Sequence, residues 1–402
     1  MSQKLKIAII GTGSRGTSCF TELLNKRDDV EIAAYCDTNR KRAEAAAGMY
    51  GINPAIYSTI EDMAANEKLD GVIITVPDCY HHEYAVKALN YGWNVLIDKP
   101  IATNVKDGLD IIQTAEKTGK TVMIGFNLRH HPVLIRLKQL IDDGVLGKVF
   151  LCENREFYGG GRTYMCRWNR LFCYTGGLWI HKGSHDFDIF NWLLGFPKPL
   201  RVTSFAAVNV LNEEGIPFEL EDGHEPGPDC TTCYYKDKCG DCYDIGGHEK
   251  PLWGPEQIAE DGYVKNQCMY LSDKDNHDNG IAMVEYEGGL KASHFECFIG
   301  NKGDRLYSIV GDRGIAEVSL TNRTIKITPR WGDEFVTYQI GEADGGHGGA
   351  DPSLVDTFCR VLRGEVIPNS TAEHGLLSTA IGQAAEISRR EHRMVEISEL
   401  YK

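Results

Sequence analysis

The sequence predicts an α/β protein with two domains: a doubly wound parallel sheet in residues 1–126, then an α+β domain in residues 127–402. Three observations carry this prediction. A chain of 402 residues is too long for one hydrophobic core. Up to residue 126, apolar strand-like runs alternate with helical patterns, as in a parallel sheet covered by helices. Beyond it, short strand-like runs are separated by glycine turns, which indicates antiparallel hairpins.

The first element is a short apolar strand that leads into a glycine loop and a helix. Gly11, Gly13 and Gly16 have the spacing G-x-G-x-x-G, which allows a tight turn, close approach of a pyrophosphate and close packing of helix on strand. A second strand ends in Asp37, where a carboxylate accepts the ribose hydroxyls of NAD. The pattern predicts an NAD-binding Rossmann fold, with a strand–helix turn that binds nothing as the alternative. Arg40 follows closely and would tolerate NADP.

The alternation continues through the rest of the first domain. The runs "LDGVIITVP", "NVLIDKP" and "TVMIGFN" are interpreted as strands, and "HHEYAVKALNYG" and "VKDGLDIIQTAEKTG" as helices. In the second domain, strands are expected in "KVFLCENREFYGG", "LRVTSFAAVNV", "GIAMVEYEGG", "LKASHFECFIG", "RLYSIVGDRG", "GIAEVSL", "TIKITPR" and "EFVTYQI". The closing helices are "DPSLVDTFCRVLRG" and "TAEHGLLSTAIGQAAEISRR".

The helix predicted in "GGLWIHKGSHDFDIFNWLLG" begins with many ionisable groups. His181, His185 and Asp188 are spaced i, i+4 and i+7, so on one helix they share a face. A polar stripe at the buried end of a helix needs something to bind, and Lys182 adds a cation beside it. The two histidines also have the spacing of metal ligands, with His294 as one candidate third ligand. Core histidines bonded to the backbone are the remaining interpretation.

The segment 211–278 is long, irregular and rich in glycine, aspartate and proline. Its motif "CTTCYYKDKCGDC" contains two C-x-x-C pairs, Cys230 with Cys233 and Cys239 with Cys242. Two such pairs can place four sulfurs around one ion, so we expect a structural Zn²⁺ that holds this insertion together. An iron–sulfur cluster, and free thiols or disulfides, are the alternatives.

Composition restricts the classes of partner. A net charge of −14 argues against nucleic acid or an anionic membrane as the main partner, because both require a basic patch. No run approaches the roughly 20 apolar residues of a membrane span. The N-terminus enters an apolar run and glycines directly, without the pattern of a signal peptide. Most of the 13 cysteines are scattered singly, which is typical of a reducing compartment, so we expect a cytoplasmic protein.

The motifs "GTGSRG", "CDTNRKRA", "VPDCYHHEYAVKAL", "DKPIATN" and "GFNLRHHPV", followed by "GG…H-x-x-D…WLLG", resemble in type and order those of the Gfo/Idh/MocA oxidoreductases. The resemblance implies a nicotinamide-binding Rossmann domain, a second domain with an open, mostly antiparallel sheet, and substrates that are sugars, cyclitols or their derivatives. It implies Lys99 and His185 as the catalytic pair. His181 replaces the first aspartate of the family's pattern D-x-G-x-H-x-x-D, and we expect it to be a third polar contact in the catalytic site.

Further residues are expected at the cofactor or the substrate. The expected cofactor-binding residues are Gly11, Gly13, Ser14, Arg15, Gly16, Asp37, Arg40, Pro77, His81, Lys99 and Pro100. The expected substrate residues are Lys182, Asp188, Arg129, Tyr158, Arg167 and Trp168. Aromatic and arginine side chains suit stacking on a sugar and hydrogen bonding to it, although a solvated loop has the same composition.

The reaction expected from the resemblance is NAD-dependent transfer of a hydride between a secondary carbinol of a sugar or glycoside and the nicotinamide. Lys99 and His185 would handle the hydroxyl proton. One alternative is a redox-neutral glycosidase that oxidises, eliminates and re-reduces with the same NAD. A nucleotide-sensing regulator is the other alternative, and the presence of Lys99 and His185 argues against it. Because an open sheet with an apolar face often pairs with its copy, we expect a homodimer or homotetramer.

Overall fold

The structure, a computed structural model, describes residues 4–301, 303–342 and 344–402. Its first sheet consists of β1 (Leu5–Ile10), β2 (Val30–Cys36), β3 (Ala55–Tyr57), β4 (Gly71–Ile74), β5 (Asn94–Ile97) and β6 (Val122–Ile124). Neighbouring strands are parallel, in the order β3-β2-β1-β4-β5-β6. The order reverses between β1 and β4, where a crevice opens at the carboxyl ends of the strands. The doubly wound parallel sheet is therefore confirmed.

Both faces of the first sheet are buried under helices. Ile9 and Ile73 point into one hydrophobic cluster, and their neighbours Ile10 and Ile74 point into the other. This two-sided burial explains why the strands are apolar throughout. The helices of this half are α1 (Glu22–Asn25), which continues a π-helical segment over Gly16–Thr21, then α2 (Arg40–Tyr50), α3 (Ile60–Asn66), α4 (His81–Asn90) and α5 (Val105–Thr118).

The second sheet consists of β7 (Val149–Phe157), β8 (Pro199–Ala207), β9 (Asn279–Tyr286), β10 (Lys291–Cys297), β11 (Asp304–Gly311), β12 (Gly314–Ser319), β13 (Thr324–Pro329), β14 (Val336–Gln339) and β15 (Val395–Glu396). Their order is β14-β13-β12-β11-β7-β10-β9-β8-β15. Only β7 and β10 pair in parallel among the described strands of this sheet. The mostly antiparallel sheet is therefore confirmed.

One face of the second sheet is covered and the other is open. The covering helices are α6 (Pro132–Asp142), α9 (Ser184–Leu193) and α12 (Ala372–Glu391), over a core that includes Phe187 and Tyr307. On the open face, Phe205 is 68% exposed and Met283 is 47% exposed. Side chains this apolar are unusual on a solvated sheet face.

Helix α11 (Gly346–Leu362) comes from the second half of the sequence but packs on the first sheet. Its Leu354 and Phe358 share a buried cluster with Ile7 and Ile9. The boundary predicted after residue 126 stays a prediction, because α11 lies beyond it in the sequence but packs on the first sheet. The longest helix is α12, with 20 residues, and none of the helices in the described part of the chain is long and apolar enough to cross a membrane.

The single helix predicted in "GGLWIHKGSHDFDIFNWLLG" is wrong. The segment forms α8 (Leu178–His181) and then α9, which begins at Ser184. The chain turns tightly between them at Gly183, where a Cβ atom would lie 2.7 Å from the backbone oxygen of Trp179. His181 and His185 therefore belong to different helices, and the helical face that they were expected to share with Asp188 does not exist.

Candidate functional site

A cleft of about 890 Å³ opens where the first sheet, the second half of the chain and the insertion meet. Most of the expected site residues line it, namely Gly11, Gly13, Ser14, Arg15, Asp37, Pro77, His81, Lys99, Tyr158, Arg167, Trp168, His181, Lys182 and His185. The wall does not include Gly16, Arg40, Pro100, Arg129 and Asp188.

The glycine loop after β1 has the shape that its spacing predicts. A Cβ atom at Gly11, where φ is +92°, would lie 2.9 Å from the backbone of Thr75, and one at Gly16 would lie 2.1 Å from the oxygen of Gly11. At Gly13 the nearest atom, on Trp253, is 3.9 Å away. The first and third glycines therefore fit a tight turn, while the second lines the cleft. The absence of a side chain at Gly13 would let the pyrophosphate of a dinucleotide approach the backbone.

Asp37 lies at the end of β2 and is held by the glycine loop. Its Oδ2 accepts hydrogen bonds from the backbone nitrogen and hydroxyl of Thr12, at 2.7 and 2.6 Å, and its Oδ1 accepts one from the nitrogen of Asn39 at 2.8 Å. Arg40 points away from the cleft and pairs with Glu44. Arg42, two residues further on, lines the cleft instead.

Lys99 connects the two halves of the cleft. Its Nζ donates a hydrogen bond of 2.6 Å to the backbone oxygen of His181. Burial lowers the pKa of Lys99 to about 8, against the opposing effect of Asp78 and Asp98. His81 supports this loop, because its ring nitrogens lie 2.7 Å from the oxygen of Pro100 and 3.0 Å from the oxygen of Val76. His81 therefore positions the segment that carries Lys99.

The ring of His181 is bonded on both sides. Its Nδ1 lies 2.7 Å from Oδ2 of Asp78, and Asn169 Nδ2 lies 2.9 Å from its Nε2. Burial lowers the pKa of His181 well below its ordinary value, and the charge of Lys99 lowers it further. With both nitrogens engaged, the ring has no free lone pair for a metal, so the two-histidine metal site suggested by the spacing is not assembled.

His185 lines the cleft from the first turn of α9. Its Nδ1 is buried and has no hydrogen-bond partner. Burial lowers the pKa of His185 well below its ordinary value, and the nearby charges of Lys99 and Arg305 contribute. A neutral imidazole without a protein partner is available to exchange a proton with a ligand.

A buried network of charges lies beneath these residues. Glu156 pairs with Lys182 at 2.9 Å and with Arg305 at 2.7 Å, and Arg305 also pairs with Asp186 at 3.1 Å. Glu156, Asp186 and His294 are the only group in the described residues with three metal-ligating atoms within 4.8 Å of one another. Because two cations already neutralise the carboxylates, the group forms an ion-pair network.

Two expected substrate residues are paired with each other instead. Arg129 and Asp188 form a buried ion pair, with NH2 2.6 Å from Oδ1 and Nε 2.8 Å from Oδ2. This two-pronged geometry satisfies both groups away from the cleft. The aromatic loop does reach the cleft: the rings of Trp168 and Tyr164 lie edge-on to His181, with centroids 5.3 and 5.4 Å away.

The four cysteines of the two C-x-x-C pairs line one small cavity of about 20 Å³, together with Cys268, the fifth cysteine of the insertion. A cavity of this size holds about one water molecule or ion. None of the cysteines in the described part of the chain forms a disulfide. Their sulfurs are not among the groups of ligand atoms that lie within 4.8 Å of one another.

Sequence reasoning missed several residues of the cleft. Asp78 and Asn169 hold His181, Arg305 anchors the charge network, and Lys265 extends into the cleft from the insertion. Asp78 could have been predicted, because it follows Pro77 at the carboxyl edge of the first sheet, where ligands bind. The other three come from distant segments whose approach no local pattern indicates.

Comparisons with known proteins identify the family and agree with the fold. The sequence model described as "Oxidoreductase family, NAD-binding Rossmann fold" (GFO_IDH_MocA) matches residues 5–126. The one described as "Oxidoreductase family, C-terminal alpha/beta domain" matches residues 138–397. YteT of Bacillus subtilis (strain 168), an oxidoreductase by name, is 28% identical, with 98% of each chain covered.

Two further similarities concern named dehydrogenases. D-glucoside 3-dehydrogenase of Escherichia coli (strain K12) is 29% identical over 52% of this chain and 59% of its own length. The fold is similar to that of the WlbA dehydrogenase from Bordetella pertussis, crystallised with NADH and UDP-GlcNAcA, with a TM-score of 0.72, 19% identity and 98% of each chain covered.

Proposed function

Because this chain belongs to the Gfo/Idh/MocA family of NAD-binding oxidoreductases, we propose that it transfers a hydride between a secondary carbinol of a sugar or glycoside and the nicotinamide. The observation that carries the proposal is the presence of Lys99 and His185 in the same cleft as the glycine loop, each with a lowered pKa. NAD, when bound, supplies the hydride acceptor. The residues of this chain must then remove the hydroxyl proton.

Lys99 and His185 both act on the proton of the substrate hydroxyl. Loss of a hydride from a carbinol carbon leaves a carbonyl only if the hydroxyl proton also leaves, so a base must lie within hydrogen-bond reach. Neutral Lys99, held by the backbone oxygen of His181, accepts that proton. His185, which is neutral and lines the cleft, forms a hydrogen bond with the same hydroxyl and orients it. His181 is a positioning residue, since both of its ring nitrogens are engaged.

The carbohydrate class is supported by the names of relatives and by the aromatic loop. D-glucoside 3-dehydrogenase and an inositol 2-dehydrogenase, 30% identical over 47% of this chain, both act on secondary hydroxyls according to their names. Trp168 and Tyr158 line the cleft, and aromatic rings suit the faces of a sugar. Lys182 beside them adds a donor for hydroxyl or acidic groups.

A second candidate is the redox-neutral glycosidase, in which the same NAD oxidises and then re-reduces the substrate. The observation that favours it is the insertion, whose Trp253, Tyr263 and Lys265 line the cleft opposite the glycine loop. A wall on that side would slow the exchange of cofactor. Such retention suits a cycle in which NAD returns to its starting state.

Proton NMR with a panel of polyols, sugars and glycosides separates the two candidates. The purified protein and NAD⁺ are incubated with each compound, and the nucleotide and carbohydrate signals are followed together. A keto-sugar that rises with NADH supports the dehydrogenase. Release of an aglycone without net NADH supports the glycosidase, and no change with any compound would contradict the carbohydrate proposal.

For the insertion we propose a structural Zn²⁺ held by Cys230, Cys233, Cys239 and Cys242. Support comes from the small cavity that they line together and from the scarcity of regular secondary structure there. The regular elements of the insertion are the 3₁₀ turns Glu213–Gly215 and Gly247–Trp253 and helix α10 (Pro255–Asp261). A tetrahedral thiolate site would add to the small hydrophobic cluster that includes Leu211, Met269 and Tyr270.

We also propose that the protein is a homo-oligomer in the cytoplasm. The open face of the second sheet, which carries Phe205, Ile281 and Met283, would be buried against a second copy. The unpaired cysteines suit a reducing compartment.

A further inference from the structure

The carboxyl-terminal part of the insertion is built onto the nucleotide-binding half of the protein. Leu252 is fully buried in the same cluster as Phe20 and Leu24 of the first domain. The carboxylate of Glu260 accepts hydrogen bonds from the backbone nitrogens of Arg40 and Lys41, at 2.9 and 2.8 Å, at the start of α2. These contacts satisfy backbone groups at the end of a helix, so the segment is an integral part of the Rossmann domain's surface.

This segment also closes the cleft opposite the glycine loop. Trp253 lies 3.9 Å from the position that a Cβ atom would take at Gly13. The guanidinium of Arg42 lies over the Trp253 ring, 4.6 Å from its centroid, and bonds Asp261 at 2.7 Å. A dinucleotide on the glycine loop would therefore have protein on both sides.

Lys265 is the cation that this wall directs at the phosphate loop. Its Nζ donates hydrogen bonds to Oγ of Ser14 at 2.7 Å and to Oε2 of Glu249 at 2.6 Å. Its side chain is only 4% exposed, yet it lines the cleft. Glu249 in turn accepts from the hydroxyls of Ser14 and Ser18, at 2.8 and 3.2 Å. The carboxylate therefore occupies donors at the start of the first helix, which is the kind of position where a phosphate binds.

We infer that Lys265, which the insertion supplies, is a ligand for the pyrophosphate of the bound dinucleotide. When no phosphate is present, Glu249 holds the ammonium group of Lys265 beside Ser14. The inference rests on the NAD-binding part of the proposed function and is independent of the carbohydrate. If the ion pair had a purely structural role, removing its positive charge would not change the affinity for phosphate groups. A buried ammonium beside the serine of the phosphate loop adds charge-assisted hydrogen bonds to those of the backbone.

The test compares the binding of ADP and adenosine by calorimetry in the full-length protein. Lys265→Gln keeps a hydrogen-bond donor for Glu249 and Ser14 but removes the charge. We expect the Kd for ADP to rise roughly 10- to 100-fold and the Kd for adenosine to stay unchanged. Lys250→Met, at an exposed lysine of the same insertion, is the matched control and should bind both ligands as the wild type does. Lys265→Met is the second variant, with thermal unfolding as the check on folding.

An unchanged Kd for ADP in a folded Lys265 variant would overturn the inference, and so would an equal loss of adenosine and ADP. Stopped-flow release of NADH gives a second readout, and its rate should rise by a similar factor in the Lys265 variants but not in the Lys250→Met control. If the Kd for ADP rises in the Lys265 variants as expected but no carbohydrate is oxidised by the wild type, the inference is supported and only the proposed substrate is contradicted. Failure of the wild type to bind ADP would overturn the inference and the NAD-binding premise together.

Discussion

Asp78 Oδ2 lies 2.7 Å from Nδ1 of His181, and this contact joins the first sheet to the second half of the chain. Asn169 donates to Nε2 on the opposite side of the ring, so the ring proton is on Nδ1. Burial raises the pKa of Asp78 to about 7. The backbone oxygen of His181 holds Lys99.

Asp78→Asn should lower turnover by about 10- to 100-fold, because the neutral amide no longer fixes the tautomer and position of His181. The measurement is the steady-state rate with the carbohydrate that the NMR screen identifies. We expect the loss mainly in kcat, with the Kd for NADH unchanged. Asp110→Asn is the matched control, since Asp110 pairs with His82 at 2.6 Å at the surface. Equal effects of the two substitutions would contradict the positioning role of Asp78.

Oxidation should require the neutral form of Lys99. Burial lowers the pKa of Lys99 to about 8, so the amine is protonated below that pH and neutral above it. The rate of oxidation should rise with pH, reach half of its maximum near pH 8 and level off about one pH unit above it, while the rate of reduction, which needs the proton, should fall over the same range. Lys99→Met should lower turnover by about 10²–10⁴-fold, and the residual rate should lose this pH dependence. A wild-type profile that is flat between pH 6 and 9 would contradict this assignment.

Asp37→Ala should weaken the binding of NAD more than that of NADP. A carboxylate at the ribose accepts a hydrogen bond from the 2′-hydroxyl of NAD and repels the 2′-phosphate of NADP. Asp37 also holds the hydroxyl of Thr12, so Thr12→Val is the control for that single bond. Fluorescence titration with NADH and NADPH measures the effect. Arg42, which lines the cleft, would favour the phosphate once Asp37 is removed. An equal loss of both nucleotides would show that Asp37 supports the loop and does not read the ribose.

Sequence reasoning predicted the fold well because its signals are local. The G-x-G-x-x-G spacing and the alternation of apolar strands with helices depend on neighbours within about 30 residues, and the structure confirms both the parallel sheet and the antiparallel one. The error at His181–His185 was also local. Residues 181–188 contain no proline and their spacing suits a helix, but the backbone nitrogen of Gly183 donates to the oxygen of Leu178, five positions back, so the α-helical hydrogen-bond pattern is interrupted there.

The site was predicted less completely, because its partners come from distant segments. Arg129 and Asp188 lie 59 positions apart and neutralise each other, which no spacing rule anticipates. Lys265 reaches Ser14 across 251 positions. Charged residues in a sequence can be assigned to ligands only after such pairings are known, and these depend on tertiary packing.

Phe205→Glu should shift the protein to a smaller species in size-exclusion chromatography with light scattering. Phe205 is 68% exposed on the open sheet face, and a carboxylate there would be costly to bury against a second copy. Ile367→Glu is the matched control, because Ile367 is 88% exposed and lies between α11 and α12, outside the second sheet. A wild type that is monomeric at micromolar concentration, or a variant with unchanged mass, would contradict assembly through this face.

The cysteine cluster should bind one zinc ion per chain and thereby hold Lys265 in place. The segments are connected directly, since the nitrogen of Cys230 donates to the oxygen of Asn266 at 2.8 Å and that of Cys268 donates to the oxygen of Pro228 at 2.8 Å. Cys230→Ser with Cys233→Ser should abolish the zinc found by mass spectrometry of the purified protein and speed the release of NADH by about tenfold.

The matched control is Cys173→Ser, at an exposed cysteine outside the insertion, which should retain both the metal and the slow release. If the wild type contains iron and absorbs in the visible range, the cluster holds iron and sulfide and the zinc assignment is wrong. If the double variant loses zinc but releases NADH at the wild-type rate, the metal stabilises only its own loop. In that case the wall over the nucleotide is held by its contacts with the first domain, such as those of Leu252, Glu260 and Asp261.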